Sequence, residues 1–374
     1  MRSKLKRRDI RLQKLTDKTL NRLLKREAYS KGESLFSINK KPHVDITCII
    51  VTFNGERFLS IALDSLLKQD FKKPMEIFLS YDRGTKDRTL QLIKKFLLYN
   101  KSKLNRIQIT LFFHDNTTLF RDREHSIRHA KGKRICFLDY DNIFFHDKLR
   151  VQNEAMDRLH SHFSFSSQNV INEKGTVIKN SYLDVPPNYK DPERILVSNF
   201  IDANEIMFDR VFYNKVLKPS FDVLSDAAYD DIIEDYFINC VAAITNNLTY
   251  LPKILGSYRL SKYSLTPRGK NADPRAFTKT AKLFNRMQLT LFALSLVNYK
   301  LRFYNKKLRF NFISSFSPNS DSAHFHFSGD FNINNSKKLP LRFTLFGVIS
   351  IYIGLKILFK HTIAKVIYIF DKNR

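Results

Sequence analysis

Short β-branched segments and amphipathic helical segments alternate through the middle of this 374-residue chain, with short loops between them. Apolar residues at helical spacing follow each strand-like run, as in βα units. This alternation predicts an α/β fold, with a mostly parallel central sheet flanked by helices. Ligands bind such sheets at the carboxyl ends of the strands. The predicted strands are 44–52, 75–80, 107–113 and 134–138, and the predicted helices are 56–69, 90–99 and 124–130.

Two carboxylates, Asp139 and Asp141, directly follow the predicted strand 134–138. Carboxylates beside a buried strand are costly unless they meet a cation or hydrogen-bond donors. A divalent metal that bridges a diphosphate would supply such a cation, because it takes hard oxygen ligands from both sides. A capping or turn role for the same two residues remains the alternative on this pattern alone.

Two further polar loops carry candidate site residues. In the loop 80–89, Asp82 offers an acceptor ahead of a glycine-containing turn, and Asp87 is placed to cap the next helix. Glu234 and Asp235 open an amphipathic helix that is predicted to run to about residue 243. A carboxylate there could deprotonate an attacking hydroxyl. Acidic residues in a first helical turn are also ordinary partners of the helix dipole.

Taken together, these segments resemble a family 2 glycosyltransferase of the GT-A fold, a Rossmann-like α/β architecture. The resemblance spans roughly 44–266, in consistent order and spacing. It rests on 46–56 (the opening strand and T-Y-N-x-E loop), 81–89 (D-D-G-S-x-D-x-T), 123–132 (R-N-x-G-x-x-x-A-x-G), 139–142 (D-A-D-D), the acceptor-side segment 199–221, the ED pair 234–235 and the closing segment 250–259.

The resemblance implies an inverting, metal-dependent transferase that uses a nucleotide-diphospho-sugar, most often a UDP-sugar. On the donor side, Thr52, Phe53 and Glu56 would line the nucleoside pocket. Asp82 would accept a hydrogen bond from the base, and Arg123 would contact the base or the ribose.

The catalytic roles follow from the same resemblance. Asp139 would face the ribose and the sugar, and Asp141 would bind Mn²⁺ or Mg²⁺. Asp235 would be the general base, with Glu234 as the alternative for that role.

Five positions depart from the family pattern. Three of them are Val51 in place of a Pro, Phe53 in place of a Tyr and Glu124 in place of the Asn of R-N. Tyr81 is taken to replace the first Asp of D-D-G-S, and Ser261 stands where many members have a His. Asp141 and the diphosphate would therefore be the main metal partners.

Basic residues are concentrated at the two ends of the chain. Residues 1–44 carry 14 Lys+Arg against 4 Asp+Glu, and residues 268–374 carry 19 against 4. The middle keeps 31 of the 64 basic and 28 of the 36 acidic residues. A near-neutral body with basic ends predicts a catalytic domain held against an anionic surface. The predicted organisation is a basic amphipathic N-terminal extension at 1–43, a glycosyltransferase domain at 44–267 and a basic C-terminal extension at 268–374.

Two segments could contact a membrane. The leucines of residues 5–24 form a helical stripe that would lie on lipid or pack on the body. The uncharged run 343–355 has thirteen residues, too few for the roughly 20 of a spanning helix, and would be an interfacial helix or core strands. The start of the chain lacks a signal-peptide pattern, and the three cysteines read as reduced thiols.

We therefore expect a cytoplasmic protein on the inner face of the cell membrane, acting on a glycan or lipid-linked acceptor in bacterial surface-glycan synthesis. Two alternatives fit less well. A nucleotidyltransferase of related fold would need a Gly-rich N-terminal phosphate loop, which the sequence lacks. A nucleic-acid-binding protein would explain the charge, but the basic ends contain no aromatic-interleaved RNA motif and no zinc-finger spacing.

Overall fold

The structure is a computed structural model that describes residues 7–11, 16–115, 117–197, 199–225, 229–261, 286, 289–298 and 300–302. All of these residues lie within one compact unit, Met1–Asp330. The apolar run 343–355, and most of the predicted extension 268–374, lie outside the described residues. The expectation that the run 343–355 forms an interfacial helix or core strands therefore stays a prediction.

One mixed sheet organises the described chain, with the strand order β1-β2-β5-β4-β3-β6-β10-β8-β11-β7 and with β9 paired to β8. The strands are β1 (Arg7–Ile10), β2 (Ser34–Ile38), β3 (Ile46–Thr52), β4 (Met75–Asp82), β5 (Ile107–His114), β6 (Arg134–Phe137), β7 (Ile143–Phe144), β8 (Phe163–Ile171), β9 (Val177–Lys179), β10 (Ile206–Asp209) and β11 (Leu248–Arg259). The four predicted strands are confirmed as β3 to β6, each within two residues at its ends.

The centre of the sheet is parallel, as predicted. β5, β4, β3 and β6 run in one direction, and β2 and β10 flank them in the opposite direction. β4 and β5 are buried along their whole length, as expected for strands covered on both faces. Thr52 is in register with Tyr81, so the loops after β3 and β4 begin side by side. The carboxyl ends of β3, β4 and β6 thus share one edge of the sheet.

The helices cover both faces of this sheet. They are α1 (Asp17–Tyr29), α2 (Leu59–Leu67), α3 (Thr89–Tyr99), α4 (Leu119–His129), α5 (Lys148–Arg158), α6 (Pro192–Val197), α7 (Arg210–Phe212), α8 (Lys218–Val223) and α9 (Glu234–Ile244), with residues 289–298 also helical. α4 begins five residues before the predicted start at 124, because the Thr118 side chain accepts the Arg121 N–H and caps it there. Among the described residues, no helix is long and apolar enough to cross a membrane.

The described part of the N-terminal extension is built into the same core. Leu20, Leu23 and Leu24 of α1 are buried, and β2 pairs with β5 over five residues. Asp17 forms an ion pair with Lys94 of α3 at 2.9 Å. Of the two alternatives for the leucine stripe, packing on the body therefore holds for these three leucines. The sheet and its core therefore start before residue 44, the expected first residue of the main domain.

Candidate active site

The loop after β3 is fixed by the loop after β4. The Thr52 hydroxyl donates to the Ser80 carbonyl oxygen at 2.7 Å inside the sheet. The Gly55 N–H donates to the Thr89 hydroxyl at 2.7 Å, and the Glu56 N–H donates to an Asp87 carboxylate oxygen at 2.8 Å. These contacts hold the two loops together at the carboxyl edge of the sheet.

Of the residues expected to line a nucleoside pocket, Phe53 and Asp82 are the two that lie together. Phe53 is 48% exposed, and both side chains lie beside Gly84. The Asp82 carboxylate accepts the Gly84 N–H at 2.7 Å. Thr52 is fully buried, and its hydroxyl is used in the hydrogen bond to the Ser80 carbonyl between β3 and β4. Glu56 is engaged by Arg88, and this ion pair lowers the pKa of Glu56.

The structure and the motif spacing correct the expected match at Tyr81. Its ring is buried against Phe113, with the ring centroids 5.2 Å apart, as for a strand residue. Counting back from Asp87 in D-D-G-S-x-D-x-T places Asp82 at the first Asp and Arg83 at the second. Arg83 is therefore the residue that departs from this motif.

Asp139 is held by three hydrogen bonds from two side chains and its own backbone. The Arg123 guanidinium donates to one carboxylate oxygen at 2.6 Å, and the Asn204 amide donates to the other at 2.9 Å. The Asp139 N–H in turn donates to the Asn204 side-chain oxygen at 2.7 Å. Asn204 itself is oriented by Asp202, which accepts from the same amide nitrogen at 2.6 Å. The first carboxylate of the D-Y-D-N segment is thus fixed in orientation.

Asp141 has a different environment. Arg259 donates through Nε to the Asp141 backbone carbonyl at 2.8 Å, and the Arg259 N–H donates to the Asn142 side chain at 2.8 Å. Within the described residues, no ion pair engages the Asp141 carboxylate. Burial, followed by the nearby Asp139 charge, raises the pKa of Asp141 to about 7. A buried acid of this kind is stabilised in its ionised form by an added cation.

The donor set at Asp141 fits a divalent metal only with ligands from a substrate. In the part of the chain that the structure describes, no group of three or more His, Cys, Asp or Glu side chains could hold a metal ion. A carboxylate oxygen is nonetheless a preferred ligand of Mg²⁺ and Mn²⁺, and Mg²⁺ is often held by one or two carboxylates plus substrate phosphates. Ser261 is half-buried two residues after Arg259.

Arg123 connects this segment to the start of α9. Its side chain is 4% exposed and lies over the Phe137 ring at 4.9 Å from the centroid. In addition to Asp139, it pairs with Glu234 at 3.1 Å. Burial disfavours the charge on Arg123, but the attraction of Glu234 and Asp139 outweighs it, and the pKa of Arg123 is raised. The residue expected to touch the base or ribose is therefore placed between two carboxylates.

Asp235 lies next to Glu234 in the first turn of α9. Burial, the neighbouring Glu234 and Asp202 raise the pKa of Asp235 to about 8, although Arg123 acts in the opposite direction. Its carboxylate accepts the Tyr236 N–H at 2.7 Å. The Arg123 guanidinium forms its ion pair with Glu234. Of the two neighbouring acids, Asp235 is therefore the one whose negative charge is less well balanced by Arg123.

Sequence reasoning missed the roles of Asp202, Asn204 and Arg259. Asp202 and Glu205 form a capping box around a 3₁₀ turn, Ala203–Glu205, which presents Asn204 to Asp139. The D-x-x-E spacing of that capping box is a signal that the sequence does carry. Arg259 gives no local signal, because its partners lie more than eighty residues away in the chain.

This arrangement defines the class of site: acidic side chains grouped at the carboxyl edge of a parallel sheet, with one buried arginine between them. Such an edge suits a phosphate-bearing ligand held through a cation, beside a carboxylate able to take a proton. Residues 47–218 match the family model described as Glycosyl transferase family 2. The chain therefore carries a family 2 glycosyltransferase domain, and the resemblance found in the sequence is confirmed.

Curated relatives share this part of the chain. The poly(ribitol-phosphate) beta-N-acetylglucosaminyltransferase TarS of Staphylococcus aureus is 24% identical over 201 residues, covering 48% of this chain and 34% of TarS. An uncharacterized glycosyltransferase of Rickettsia felis is 32% identical over 134 residues, covering 36% and 21%. The Escherichia coli UDP-Glc:alpha-D-GlcNAc-diphosphoundecaprenol beta-1,3-glucosyltransferase WfgD is 22% identical over 223 residues, covering 59% and 79%. The match spans about a third of the length of TarS.

Solved structures with a similar chain path include S. aureus TarS 1-349 in complex with UDP-GlcNAc, at 18% identity and a TM-score of 0.43. That alignment covers 70% of this chain and 74% of the TarS chain. The mannosyltransferase PcManGT from Pyrobaculum calidifontis, in complex with GDP-Man and Mn2+, aligns at 12% identity and a TM-score of 0.41, covering 76% and 81%.

Proposed function

We propose that this protein transfers a sugar from a nucleotide-diphospho-sugar to the hydroxyl of a glycan or lipid-linked acceptor, with inversion at the anomeric carbon. The proposed donor is a UDP-sugar, and the proposed role is in bacterial surface-glycan synthesis. One observation carries the proposal beyond the family: Arg123 bridges Asp139 and Glu234. A single side chain therefore brings the metal-side acids and the acid pair of α9 to one place. The residues proposed to bind the donor and the residue proposed to deprotonate the acceptor can then act at the same site.

On the donor side, Phe53 and Asp82 would contact the nucleoside, and Asp139, fixed by Asn204, would face the ribose and sugar. Asp141 would hold Mn²⁺ or Mg²⁺ together with the diphosphate. The cation would act as a Lewis acid that offsets the charge on the departing diphosphate.

On the acceptor side, Asp235 would accept the proton of the attacking hydroxyl at a carboxylate oxygen. Its raised pKa of about 8 makes it a stronger base than an ordinary aspartate. Glu234 is less suited to that role because it is paired with Arg123. Attack from the face opposite to the diphosphate inverts the anomeric centre. Arg123 would position both acids, in place of the base or ribose contact that the family resemblance implies.

The named activities of two relatives suggest a first donor and a first acceptor class to test. TarS is named as an N-acetylglucosaminyltransferase, and one TarS structure holds UDP-GlcNAc. WfgD is named for a lipid-diphosphate acceptor. We therefore take UDP-GlcNAc as the first donor and a lipid-linked or polyol-phosphate glycan as the first acceptor class to test.

Attachment to the cytoplasmic face of the membrane is part of the proposal and rests on charge. Residues 1–44 and 268–374 together carry 33 basic and 8 acidic residues. Each Lys or Arg near an anionic leaflet contributes about 1 kcal/mol. α1 buries its leucines in the body, so attraction would come from charged side chains and from segments outside the described residues.

The test is release of nucleotide from a panel of nucleotide-sugars with Mn²⁺. The proposal expects turnover of at least one donor and its loss on chelation of the metal. Tight RNA binding without turnover or binding of any nucleotide-sugar would contradict the proposal and favour a nucleic-acid-binding protein. Asp141→Ala serves as the matched negative control, since its backbone contact with Arg259 stays available.

A further inference from the structure

Arg83 directly follows the residue proposed to bind the nucleoside base, and its side chain leaves the sheet edge toward the N-terminal segment. It is 6% exposed at the side chain. Nε donates to the Glu27 carbonyl at 2.7 Å, and Nη1 donates to the Gly32 carbonyl at 2.6 Å and to Asp115 at 3.0 Å. Nη2 donates to the hydroxyls of Ser30 at 3.1 Å and Ser34 at 3.3 Å.

These contacts use the full donor capacity of the side chain. A guanidinium has five N–H donors in a fixed fork, and the five contacts match them in number. Four of the five acceptors belong to one short stretch of chain, residues 27–34, which we call the α1–β2 turn. Lysine has only three donors on a flexible stem and could not reproduce this set.

The α1–β2 turn is also attached to its neighbours independently of Arg83. The Gly32 N–H donates to Asp115, and Glu33 pairs with His125 of α4 at 2.9 Å. Gly32 has a φ of +75°, a conformation that favours glycine. α4 is the helix that carries Arg123. The turn thus lies between the loop of Asp82 and the helix of the bridging arginine.

We propose that the α1–β2 turn is a structural part of the donor site and that Arg83 is the positioning residue that fixes the Asp82 loop on it. This inference rests on the proposed nucleotide-sugar function. The Arg83 N–H donates to the His114 carbonyl at 3.0 Å, and the Asp82 carboxylate accepts the Gly84 N–H at 2.7 Å. Backbone and side chain at Arg83 therefore set the direction in which Asp82 faces the nucleoside.

A role of Arg83 in positioning the Asp82 loop should affect donor binding and not the chemical step. Loosening this loop would require its backbone to be ordered again when nucleotide binds, and ordering the backbone of one residue lowers affinity by about 5- to 30-fold. The proposed base Asp235 and metal ligand Asp141 make none of these contacts. Donor affinity should therefore change while kcat at saturating donor stays the same.

The experiment measures UDP binding by calorimetry and donor KM and kcat for the full chain and three variants. Arg83→Ala is expected to weaken UDP binding by about 5- to 30-fold, with kcat retained. Asp115→Ala is a milder second variant for the case in which Arg83→Ala fails to fold, because Asp115 is half exposed and supplies one of the five acceptors. Lys94→Ala is the matched control, since it removes another ion pair of α1 away from this loop.

The outcomes are distinct. Unchanged UDP affinity in folded Arg83→Ala and Asp115→Ala variants overturns the inference but leaves the proposed function intact. An equal loss of affinity in Lys94→Ala also overturns it, because general loosening of α1 would then explain the effect. A wild-type chain that binds neither UDP nor any nucleotide-sugar contradicts the proposed function itself.

Discussion

Arg123 lies 3.1 Å from Glu234 and 2.6 Å from Asp139, so one buried guanidinium joins the loop after β6 to the first turn of α9. The pairing distinguishes two neighbouring acids that look equivalent in the sequence. Glu234 forms the ion pair with Arg123, whereas the pKa of Asp235 is raised to about 8. The bridge therefore supports the choice of Asp235 over Glu234 as the proposed general base.

Removing the bridge should destabilise the fold. Arg123→Met would leave Asp139 and Glu234 without their shared cation, and breaking a buried ion pair from one side typically costs about 3–5 kcal/mol. We expect the free energy of unfolding in urea to fall by that order. Adding Glu234→Gln should restore part of the loss, because one orphaned charge is then removed. No change in the midpoint of unfolding in Arg123→Met would show that the ion pairs are not formed.

The metal proposal predicts different effects for the two aspartates of the D-Y-D-N segment. Asp141→Ala should nearly abolish transfer while the protein stays folded. Asp139→Ala should mainly weaken donor binding, since Asp139 is oriented by Asn204 and is proposed to face the donor. Initial rates and UDP affinities with Mn²⁺ measure both effects. Full activity of Asp141→Asn in the presence of EDTA would refute the metal role.

The raised pKa of Asp235 gives a pH dependence with a defined sign. The carboxyl must be ionised to accept a proton, so kcat/KM should rise with pH, reach half of its maximum near the pKa of about 8 and level off above it. The same group binds its proton more tightly in the folded than in the unfolded state. Its contribution to stability is therefore fully present below the ordinary aspartate pKa and is lost as the pH rises through about 8.

Asp235→Asn is the control for both profiles. The variant should flatten the rise of any residual kcat/KM and should reduce the loss of stability between acidic and mildly alkaline pH. An identical pH–rate profile in the variant would assign the titration to another group. The measurements are kcat/KM from about pH 5.5 to 9 and urea midpoints over the same range. Below the pKa, the wild-type kcat/KM should change about tenfold per pH unit.

Truncation separates the charged start of the chain from the part that belongs to the fold. Deleting residues 1–40 removes α1 and β2, including Leu20, Leu24 and Phe36 from the core, and should abolish folding. Deleting residues 1–15 removes seven basic residues, one acidic residue and the edge strand β1, and it keeps α1 and β2. Circular dichroism and thermal melting should show a folded protein in the second case alone. A folded and active 1–40 deletion would contradict the packing of α1 and β2.

The same short deletion tests membrane attachment. The full chain should sediment with anionic vesicles at low salt and much less with neutral ones, because its basic ends are attracted to the anionic surface. The 1–15 deletion should bind anionic vesicles more weakly while turnover on a soluble acceptor is retained. Equal binding of the full chain to neutral and anionic vesicles would remove the electrostatic account of its terminal charge.

The sequence was most informative where structure is local. β3 to β6 and α3 were predicted within two residues at their ends, because apolar periodicity and turn residues decide those segments. β10 has only four residues and β11 contains Pro252 and Gly256, so neither carries a clear alternating pattern. β10 pairs with β6 and β8, and β11 pairs with β8 and β7. Their strand character depends on these pairings, which no local signal reveals.

The candidate site shows the same division. The positions of Asp139, Asp141 and Asp235 could be located from the sequence, because each follows a strand or opens a helix, and the family resemblance suggested their roles, which stay predictions. The partners of Arg123 were not found, since Asp139 and Glu234 are 16 and 111 residues away in the chain, as their numbers show. The five contacts of Arg83 likewise depend on how the α1–β2 turn packs on β4 and β5.

The most direct test of the account is the turnover of UDP-GlcNAc, or of whichever nucleotide-sugar proves to be the donor, by Asp235→Asn. Without its general base the enzyme should lose about 10²–10⁴ in kcat, with UDP affinity within a factor of about two of the wild type. Glu234→Gln should lose less, because Glu234 is paired with Arg123. A kcat equal to that of the wild type in Asp235→Asn would contradict the account.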